Sequence, residues 1–211
     1  MASAEERAEL LLEDYGQTFA EEIGIALEKN EPAVLFQWLV AAQLFAARIS
    51  AEQAATAAQA IFEAGLTTPE QMCEAGWEGR VKVLGENGYA RFDESTASQL
   101  GDSCKLLIDK YGGDLRKLRA EADGDPDRLL ELLQEFKGIG PLGAQIFARE
   151  VQAVWTELQP FADDNAIELA EEIELGEDAD ELEELVGQKD LPALLCALVR
   201  ADIENVLADY E

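Results

Sequence analysis

Histidine is absent from this sequence of 211 residues. Histidine is the commonest general base near neutral pH and the commonest protein ligand of transition metals. Its absence excludes the usual histidine-based catalytic and zinc sites. Any chemistry that the chain performs must therefore use carboxylates, backbone groups or water.

Cysteines and long apolar runs are also scarce. Cys73, Cys104 and Cys196 are odd in number and far apart, which fits neither a disulfide framework nor the close spacing of a zinc or iron–sulfur site. We expect them to be small buried apolar side chains. No apolar run approaches the roughly 18 residues that a membrane span needs, so the sequence predicts a soluble, cytoplasmic protein.

Basic residues are few, with 16 Lys and Arg against 45 Asp and Glu, which gives a net charge of −29. A hydrophobic content of 48% argues against disorder despite this charge. An acid-rich, lysine-poor surface is typical of a salt-rich cytoplasm, where ions screen the repulsion between acids. An acidic protein of ordinary cytoplasm, or one with a basic partner, is the alternative.

The charge is unevenly distributed along the chain. Residues 80–150 contain 11 bases and 13 acids, whereas the remainder contains 5 bases and 32 acids. A surface that faces phosphate is therefore expected within residues 80–150.

Apolar residues recur at helical spacing along most of the chain, and alternating strand patterns are absent, so the predicted fold class is all-α. We expect two helical halves, residues 33–136 and residues 1–32 plus 137–211. The predicted helices cover residues 5–12, 18–29, 33–48, 51–64, 70–75, 78–84, 95–111, 115–122, 126–135, 141–154, 165–174, 179–186 and 191–210.

The segment Phe136-Lys137-Gly138-Ile139-Gly140-Pro141 lies between two predicted helices and is typical of a helix-hairpin-helix. Glycine permits left-handed backbone and close approach of another chain, while Ile139 can point inward between the helices. The free N–H groups at the start of the second helix suit a phosphate. A glycine turn that only lets two helices pack is the alternative interpretation.

The hairpin, together with three further segments in the same order, resembles the helix-hairpin-helix superfamily of DNA glycosylases, which includes endonuclease III, adenine glycosylase and the alkyladenine glycosylases. The similarity covers roughly residues 33–170. The other segments are residues 39–43, 103–115 and 163–167. The resemblance implies a glycosylase-like fold and a role for Gln43 in filling the gap that a flipped nucleotide leaves.

The resemblance also implies a catalytic aspartate in Asp163-Asp164-Asn165-Ala166-Ile167. The family places an aliphatic residue three positions after this aspartate, which favours Asp164 with Ile167 and leaves Asp163 as second choice. Capping of the next helix is the purely structural alternative for these acids. Leu142 occupies the position of the lysine that makes some members lyases, and Cys196 alone remains where endonuclease III has an iron–sulfur cluster.

The expected function is a monofunctional DNA glycosylase that acts on damaged double-stranded DNA as a monomer, without an iron–sulfur cluster. The resemblance further implies Na⁺ or K⁺ at the backbone carbonyls of Gln134, Phe136 and Ile139. The residues expected to contact DNA are Gln43, Lys137, Gly138, Ile139, Gly140, Leu142 and Gly143. The aromatic candidates for stacking on a flipped base, each also suited to a core position, are Trp38, Phe45, Trp77, Tyr89 and Trp155.

Two other functions remain open at the level of sequence. A non-catalytic protein that binds distorted or abasic DNA would account for Leu142 and for the acids around Asp164, since like charges disfavour an ionised carboxylate. An acidic helical adaptor for a basic protein partner would account for the net charge.

Overall fold

The computed structural model describes residues 3–87 and 93–210, and within these ranges the regular secondary structure is helical, which confirms the predicted all-α class. Three short 3₁₀ helices, Leu27–Lys29, Thr156–Leu158 and Leu207–Tyr210, accompany the α-helices. The α-helices are, in chain order, α1 (Ala4–Tyr15), α2 (Phe19–Glu22), α3 (Pro32–Phe45), α4 (Ala51–Glu63), α5 (Pro69–Glu74), α6 (Gly76–Glu86), α7 (Asp93–Tyr111), α8 (Leu115–Ala122), α9 (Pro126–Leu133), α10 (Pro141–Val151), α11 (Asp164–Glu172), α12 (Ala179–Val186) and α13 (Leu191–Ile203).

Local signals account for several helix starts. The Thr68 hydroxyl accepts a hydrogen bond from the Gln71 N–H at 3.3 Å, and proline occupies the first turn of α5. Asp125 caps α9 in the same way, with its carboxylate accepting from the Arg128 N–H at 3.2 Å. Each cap satisfies an N–H that the helix itself leaves unpaired.

Two predicted helices extend far beyond the observed ones. The helix predicted for residues 18–29 ends with α2, because Gly24 has a left-handed backbone with φ of +80°. The helix predicted for residues 191–210 ends with α13, because Asn205 has a φ of +59°. A left-handed residue interrupts the series of i to i−4 hydrogen bonds, although the apolar spacing continues beyond it.

The cysteine prediction was wrong for two of the three residues. Cys73 on α5 and Cys104 on α7 form a disulfide, with their Cα atoms 6.1 Å apart. These helices pack against each other and thereby bring together two cysteines that are 31 positions apart in sequence. Cys196 is a buried free cysteine, as expected.

The chain divides into two compact units. The large unit comprises Ile23–Phe147, and the acidic unit comprises Met1–Glu22 and Ala148–Glu211. These bounds differ from the predicted halves, since the hairpin turn belongs to the large unit. The reason lies in contacts such as the hydrogen bond of 3.1 Å from the Trp38 indole N–H to the Phe147 carbonyl.

Each unit has its own apolar interior. The core of the acidic unit is formed by side chains of α1, α11, α12 and α13, including Leu11, Leu182 and Leu195. In the large unit, Trp38, Phe136 and Phe147 are among the largest fully buried side chains. Burial of this apolar surface is the main favourable contribution to the stability of both units.

The acidic residues are concentrated in one unit. The acidic unit contains 26 acids and 4 bases, a net charge of −22, whereas the large unit contains 19 acids and 12 bases, a net charge of −7. The hairpin therefore lies in the unit that repels phosphate less.

Arg80 is buried at the junction of α5, α6 and α7 in the large unit. Its Nε donates to the Ala97 carbonyl at 2.8 Å, and its Nη1 donates to the Met72 carbonyl at 2.7 Å. Burial lowers the pKa of Arg80 from its ordinary value. Gly101 on α7 leaves the space that the guanidinium occupies.

Replacing Gly101 with alanine should destabilise the large unit, because the new methyl group would overlap the guanidinium of Arg80. We expect the free energy of unfolding to fall by about 1–3 kcal/mol, as overpacking typically costs, measured by urea denaturation. Gly79→Ala on α6 is the matched control, since its methyl group would meet only the Ala75 Cβ, at 3.4 Å. Equal effects of the two substitutions would contradict the prediction.

Candidate nucleic-acid interface and candidate catalytic carboxylate

The hairpin turn connects α9 to α10 and is anchored by two buried side chains. Phe136 is 1% exposed and Ile139 is 4% exposed. The Ile139 N–H donates to the Phe136 carbonyl at 3.0 Å, which closes the turn between them. With both side chains in the interior, the polar backbone of the turn is left at the surface.

The surface of the turn consists of Lys137, Gly138, Gly140 and Leu142, all of which are exposed. Gly138 has a φ of +88°, a left-handed backbone that favours glycine. Gly140 has no side chain with which to cap α10, and Pro141 has no N–H. The N–H groups of Leu142 and Gly143 consequently have no partner among the described residues, and the positive end of the helix dipole adds to their attraction for an anion.

Three polar side chains support the turn from α3 and α7. The Ser103 hydroxyl donates to the Lys137 carbonyl at 3.1 Å. The amides of Gln43 and Gln99 are 3.5 Å apart and lie against Gly138, where an added Cβ would be 2.6 Å from Gln43 Nε2 and 2.7 Å from Gln99 Oε1. The absence of a side chain at Gly138 therefore permits this contact.

The predicted DNA-contacting residue Gln43 thus lies at the hairpin, although it is only 4% exposed. A cavity of about 210 Å³ in the large unit is lined by Gln43, Ala46, Ala47, Arg48, Ser95, Thr96, Gln99 and Gly138. Gln99 was not predicted as a site residue, and Ser103 was not predicted to contact the hairpin. Each is one polar residue on the amphipathic helix α7, and nothing in its spacing indicates a contact with a distant turn.

Gly143 and Leu142 have opposite environments at the start of α10. A Cβ added at Gly143 would lie 3.4 Å from the Ala46 Cβ and 3.5 Å from two carbons of Ile139. The small residue therefore lets α10 approach α3 closely. Leu142 is 47% exposed in the first turn of α10.

Fewer basic side chains are available near the hairpin than the charge count of residues 80–150 indicates. Arg80 and Arg149 are buried, and Arg91 lies outside the described residues. Lys110, Arg116 and Arg128 are paired with acids. Exposed Lys137 forms no ion pair with any described residue, and it lies on the turn itself.

The carbonyls of Gln134, Phe136 and Ile139 are the atoms predicted to hold a monovalent cation. The Phe136 carbonyl already accepts one hydrogen bond, from Ile139, and keeps one lone pair. The Gln134 and Ile139 carbonyls accept no hydrogen bond from the described backbone. Oxygen donors of this kind fit Na⁺ or K⁺, whereas the described side chains contain no group of three or more acids or cysteines that could hold a metal ion.

The two candidate catalytic aspartates differ completely in their surroundings within the acidic unit. Asp163 is fully buried and accepts two hydrogen bonds of 2.6 Å from the guanidinium of Arg149. It also caps α11, accepting from the Ala166 N–H at 3.3 Å. Asp164 is the first residue of α11 and is exposed. The capping role therefore belongs to Asp163, and Asp164 is the carboxylate that solvent can reach.

Burial and charge have opposing effects on the groups around Asp163. Burial would lower the pKa of Arg149, but the carboxylate of Asp163 raises it above its ordinary value, so Arg149 stays charged. Burial raises the pKa of Glu150, although the N–H groups of Ala20 and Phe19 donate to its carboxylate at 2.9 and 3.1 Å. No local pattern predicts the pair between Arg149 and Asp163, because the two residues are 14 positions apart on different elements.

The candidate stacking aromatics are divided between core and surface. Trp38 and Trp155 are fully buried, as core residues are, and Phe45 is partly buried. Trp77 is 44% exposed, and its indole N–H donates to the Ser98 hydroxyl at 3.1 Å. Tyr89 lies outside the described residues.

Among the described residues, no helix is both long enough and apolar enough to cross a membrane.

Comparison with known proteins does not assign this chain to a family. No model of a known protein family matches the chain, and no curated protein shows significant similarity to it.

Proposed function

We propose that this protein binds damaged DNA through its hairpin and hydrolyses the N-glycosidic bond of a flipped base, as a monofunctional glycosylase of base-excision repair. The observation that supports the proposal is the exposed turn at Gly138 and Gly140, followed by the N–H groups of Leu142 and Gly143, which donate to no described residue. Such N–H groups bind phosphate without contributing a charged side chain.

Asp164 is the residue proposed to act on the sugar. Cleavage of an N-glycosidic bond builds positive charge on the sugar, and an ionised carboxylate stabilises that charge and can orient the attacking water. Exposure of Asp164 supports this role, because a flipped nucleotide must be able to reach the carboxylate. Leu142 supplies no amine, so the proposed reaction stops at hydrolysis and does not cleave the DNA strand.

The strong negative charge of the chain suits binding at high salt. Most DNA-binding proteins gain affinity from counterion release by Lys and Arg, which a net charge of −29 largely forfeits. At about 1 M salt the Debye length is about 3 Å, so distant acids repel the duplex weakly. Neutral N–H donors then become relatively more effective, and we propose a salt-rich cytoplasm as the place where the protein works.

A monovalent cation is a further part of the proposal. The carbonyls of Gln134, Phe136 and Ile139 would supply some of its ligands, and water and a DNA phosphate would supply the remainder. Such an ion would provide positive charge at a turn whose only basic side chain is Lys137. Replacing K⁺ by a large organic cation at constant ionic strength should then weaken DNA binding.

The proposed activity is tested by incubating the protein at high salt with duplexes that each carry one uracil, alkylated base or oxidised base. We expect release of at least one of these bases, leaving an abasic site in an unbroken strand. Strand cleavage by β-elimination would contradict the monofunctional assignment. Failure to release any base while DNA still binds would favour the second candidate below.

Substitution of Gly140 should separate DNA binding from folding. A Cβ added at Gly140 would meet no described atom within 4 Å, so we expect Gly140→Val to change the free energy of unfolding by less than about 1 kcal/mol. The same change should weaken DNA binding at least about tenfold, as expected when access to helix N-terminal N–H groups is blocked. Fluorescence anisotropy with a labelled duplex measures the affinity.

Gly138→Val is the companion to that variant. Its left-handed backbone and its contact with the amides of Gln43 and Gln99 make any side chain there costly. We expect it to reduce both stability and DNA affinity. Unchanged binding by Gly140→Val would count against the hairpin as the contact surface.

The second candidate function is binding of distorted or abasic DNA without catalysis. It is favoured by the net charge of −22 on the unit that carries Asp164, because so many acids repel a sugar-phosphate backbone. Tight, structure-selective binding with no base release from any duplex would support this candidate. A protein with no DNA affinity at any salt concentration would instead indicate the acidic adaptor.

A further inference from the structure

The ion pair of Arg149 and Asp163 lies in the interior of the acidic unit. The side chains are 4% and 0% exposed, and both bonds between them measure 2.6 Å. Two parallel hydrogen bonds fix the plane of the carboxylate relative to the guanidinium, which a single bond would not do. The carboxylate of Asp163 therefore has a single orientation relative to Arg149.

Asp163 is held from a second side by the helix that it caps. Its Oδ1 accepts from the Ala166 N–H as well as from Arg149. The backbone of Asp163 is extended, with φ of −79° and ψ of 155°, and α11 begins at the next residue. The position of Asp163 thus determines where the backbone of Asp164 leaves the interior.

Gln152 holds the preceding segment against the end of α10. Its Nε2 donates to the Arg149 carbonyl at 2.8 Å and to the Phe161 carbonyl at 2.7 Å. Its Oε1 accepts from the Phe161 N–H at 3.1 Å. The same residue therefore contacts both the backbone of Arg149 and the chain two positions before Asp163.

A cap alone does not require this arrangement. Asp178 caps α12 from an exposed position, accepting from the Glu181 N–H at 2.9 Å, and forms no ion pair with a described cationic residue. Burying an ion pair carries a desolvation cost that its attraction often only balances, so such a pair is weak evidence for a stabilising role. The pair does fix the orientation of the side chain of Asp163, the residue next to Asp164.

We infer that Arg149 and Asp163 are positioning residues that hold the Asp164 carboxylate for its reaction. The inference rests on the proposed function, because it assigns to Asp164 the role given above. Asp163 itself would not touch the substrate, since it is fully buried and both of its oxygens are occupied. A misplacement of about 1 Å can reduce a reaction rate about 100-fold.

The test is the double variant Arg149→Met with Asp163→Asn, which removes both charges and keeps an oxygen that can cap α11. We expect its melting temperature to stay close to that of the wild type, as replacement of a buried pair by neutral groups often allows. We expect kcat for base release to fall about 100-fold with little change in KM, because substrate binding at the hairpin is untouched. Asp178→Asn is the matched control, and it should leave kcat unchanged.

Hydrogen exchange separates this inference from the proposed function, because it needs no substrate. In the double variant the amides of residues 161–166 should exchange faster than in the wild type, while those of α13 should not. Unchanged exchange at residues 161–166, or wild-type kcat in the double variant, would overturn the positioning role. A wild-type protein that releases no base would refute the proposed function, and the exchange result would still decide whether the pair orders this segment.

Discussion

Replacing Asp164 with asparagine is expected to reduce base release by about 1,000-fold, the loss that follows removal of one group aimed at transition-state charge. Asparagine has nearly the same shape as aspartate but cannot supply the negative charge that balances the sugar cation. The substitution leaves the cap at Asp163 and the pair with Arg149 intact, so the fold should be unaffected. Single-turnover release of the base from the best duplex measures the effect.

DNA affinity should change little in this variant, or rise slightly, because the substitution removes one negative charge from the protein. Glu168→Gln is the matched control, since Glu168 is also exposed and lies one turn further along α11. It removes the same charge without touching Asp164. Equal rates in Asp164→Asn and wild type would remove Asp164 from the mechanism, and equal losses in both variants would indicate a general charge effect.

Reduction of the disulfide between Cys73 and Cys104 is the second large expected effect. The bond closes a loop with a sequence separation of 31 residues, for which the chain-entropy model gives about 3–4 kcal/mol of stabilisation. We expect the melting temperature of the large unit to fall by about 10 °C when a strong reductant is added. Differential scanning calorimetry with and without reductant measures the shift.

Cys73→Ser should reproduce the melting temperature of the reduced protein and should show no further response to reductant. Cys196→Ala is the control, because Cys196 is buried and free and its variant should keep the full response. Thiol titration in denaturant without reductant should find one free thiol per chain. Three free thiols would show that the bond does not form under the conditions of purification.

The pairing of Cys73 with Cys104 was not predicted from the sequence. Cys73 and Cys104 are 31 positions apart, too far to indicate a local site by their spacing along the chain. Their contact depends on how α5 packs against α7. The apolar faces of both helices determine that packing. Helix packing allows several crossing geometries for similar apolar stripes, so a pairing of this kind cannot be deduced from the pattern alone.

Local features were predicted much better. Apolar spacing identified most helices, and Thr68, Asp125 and proline in the first turn marked where helices begin. These signals act over three or four residues, within one helical turn, and are therefore visible in the sequence. The two overlong helices failed at Gly24 and Asn205, where the backbone turns left-handed while the apolar spacing continues.

Local patterns were enough to predict the helical class and a glycine turn between α9 and α10, whereas the two candidate aspartates came from the family resemblance. The folded interior established that Gln43 and Gln99 meet at Gly138, and that Asp163 pairs with Arg149 in the interior while Asp164 stays exposed. Asp163 and Asp164 are adjacent residues of the same type, so their local conformational preferences are the same. What distinguishes Asp163 from Asp164 is a buried cation from another element, and its desolvation and pairing depend on the folded interior.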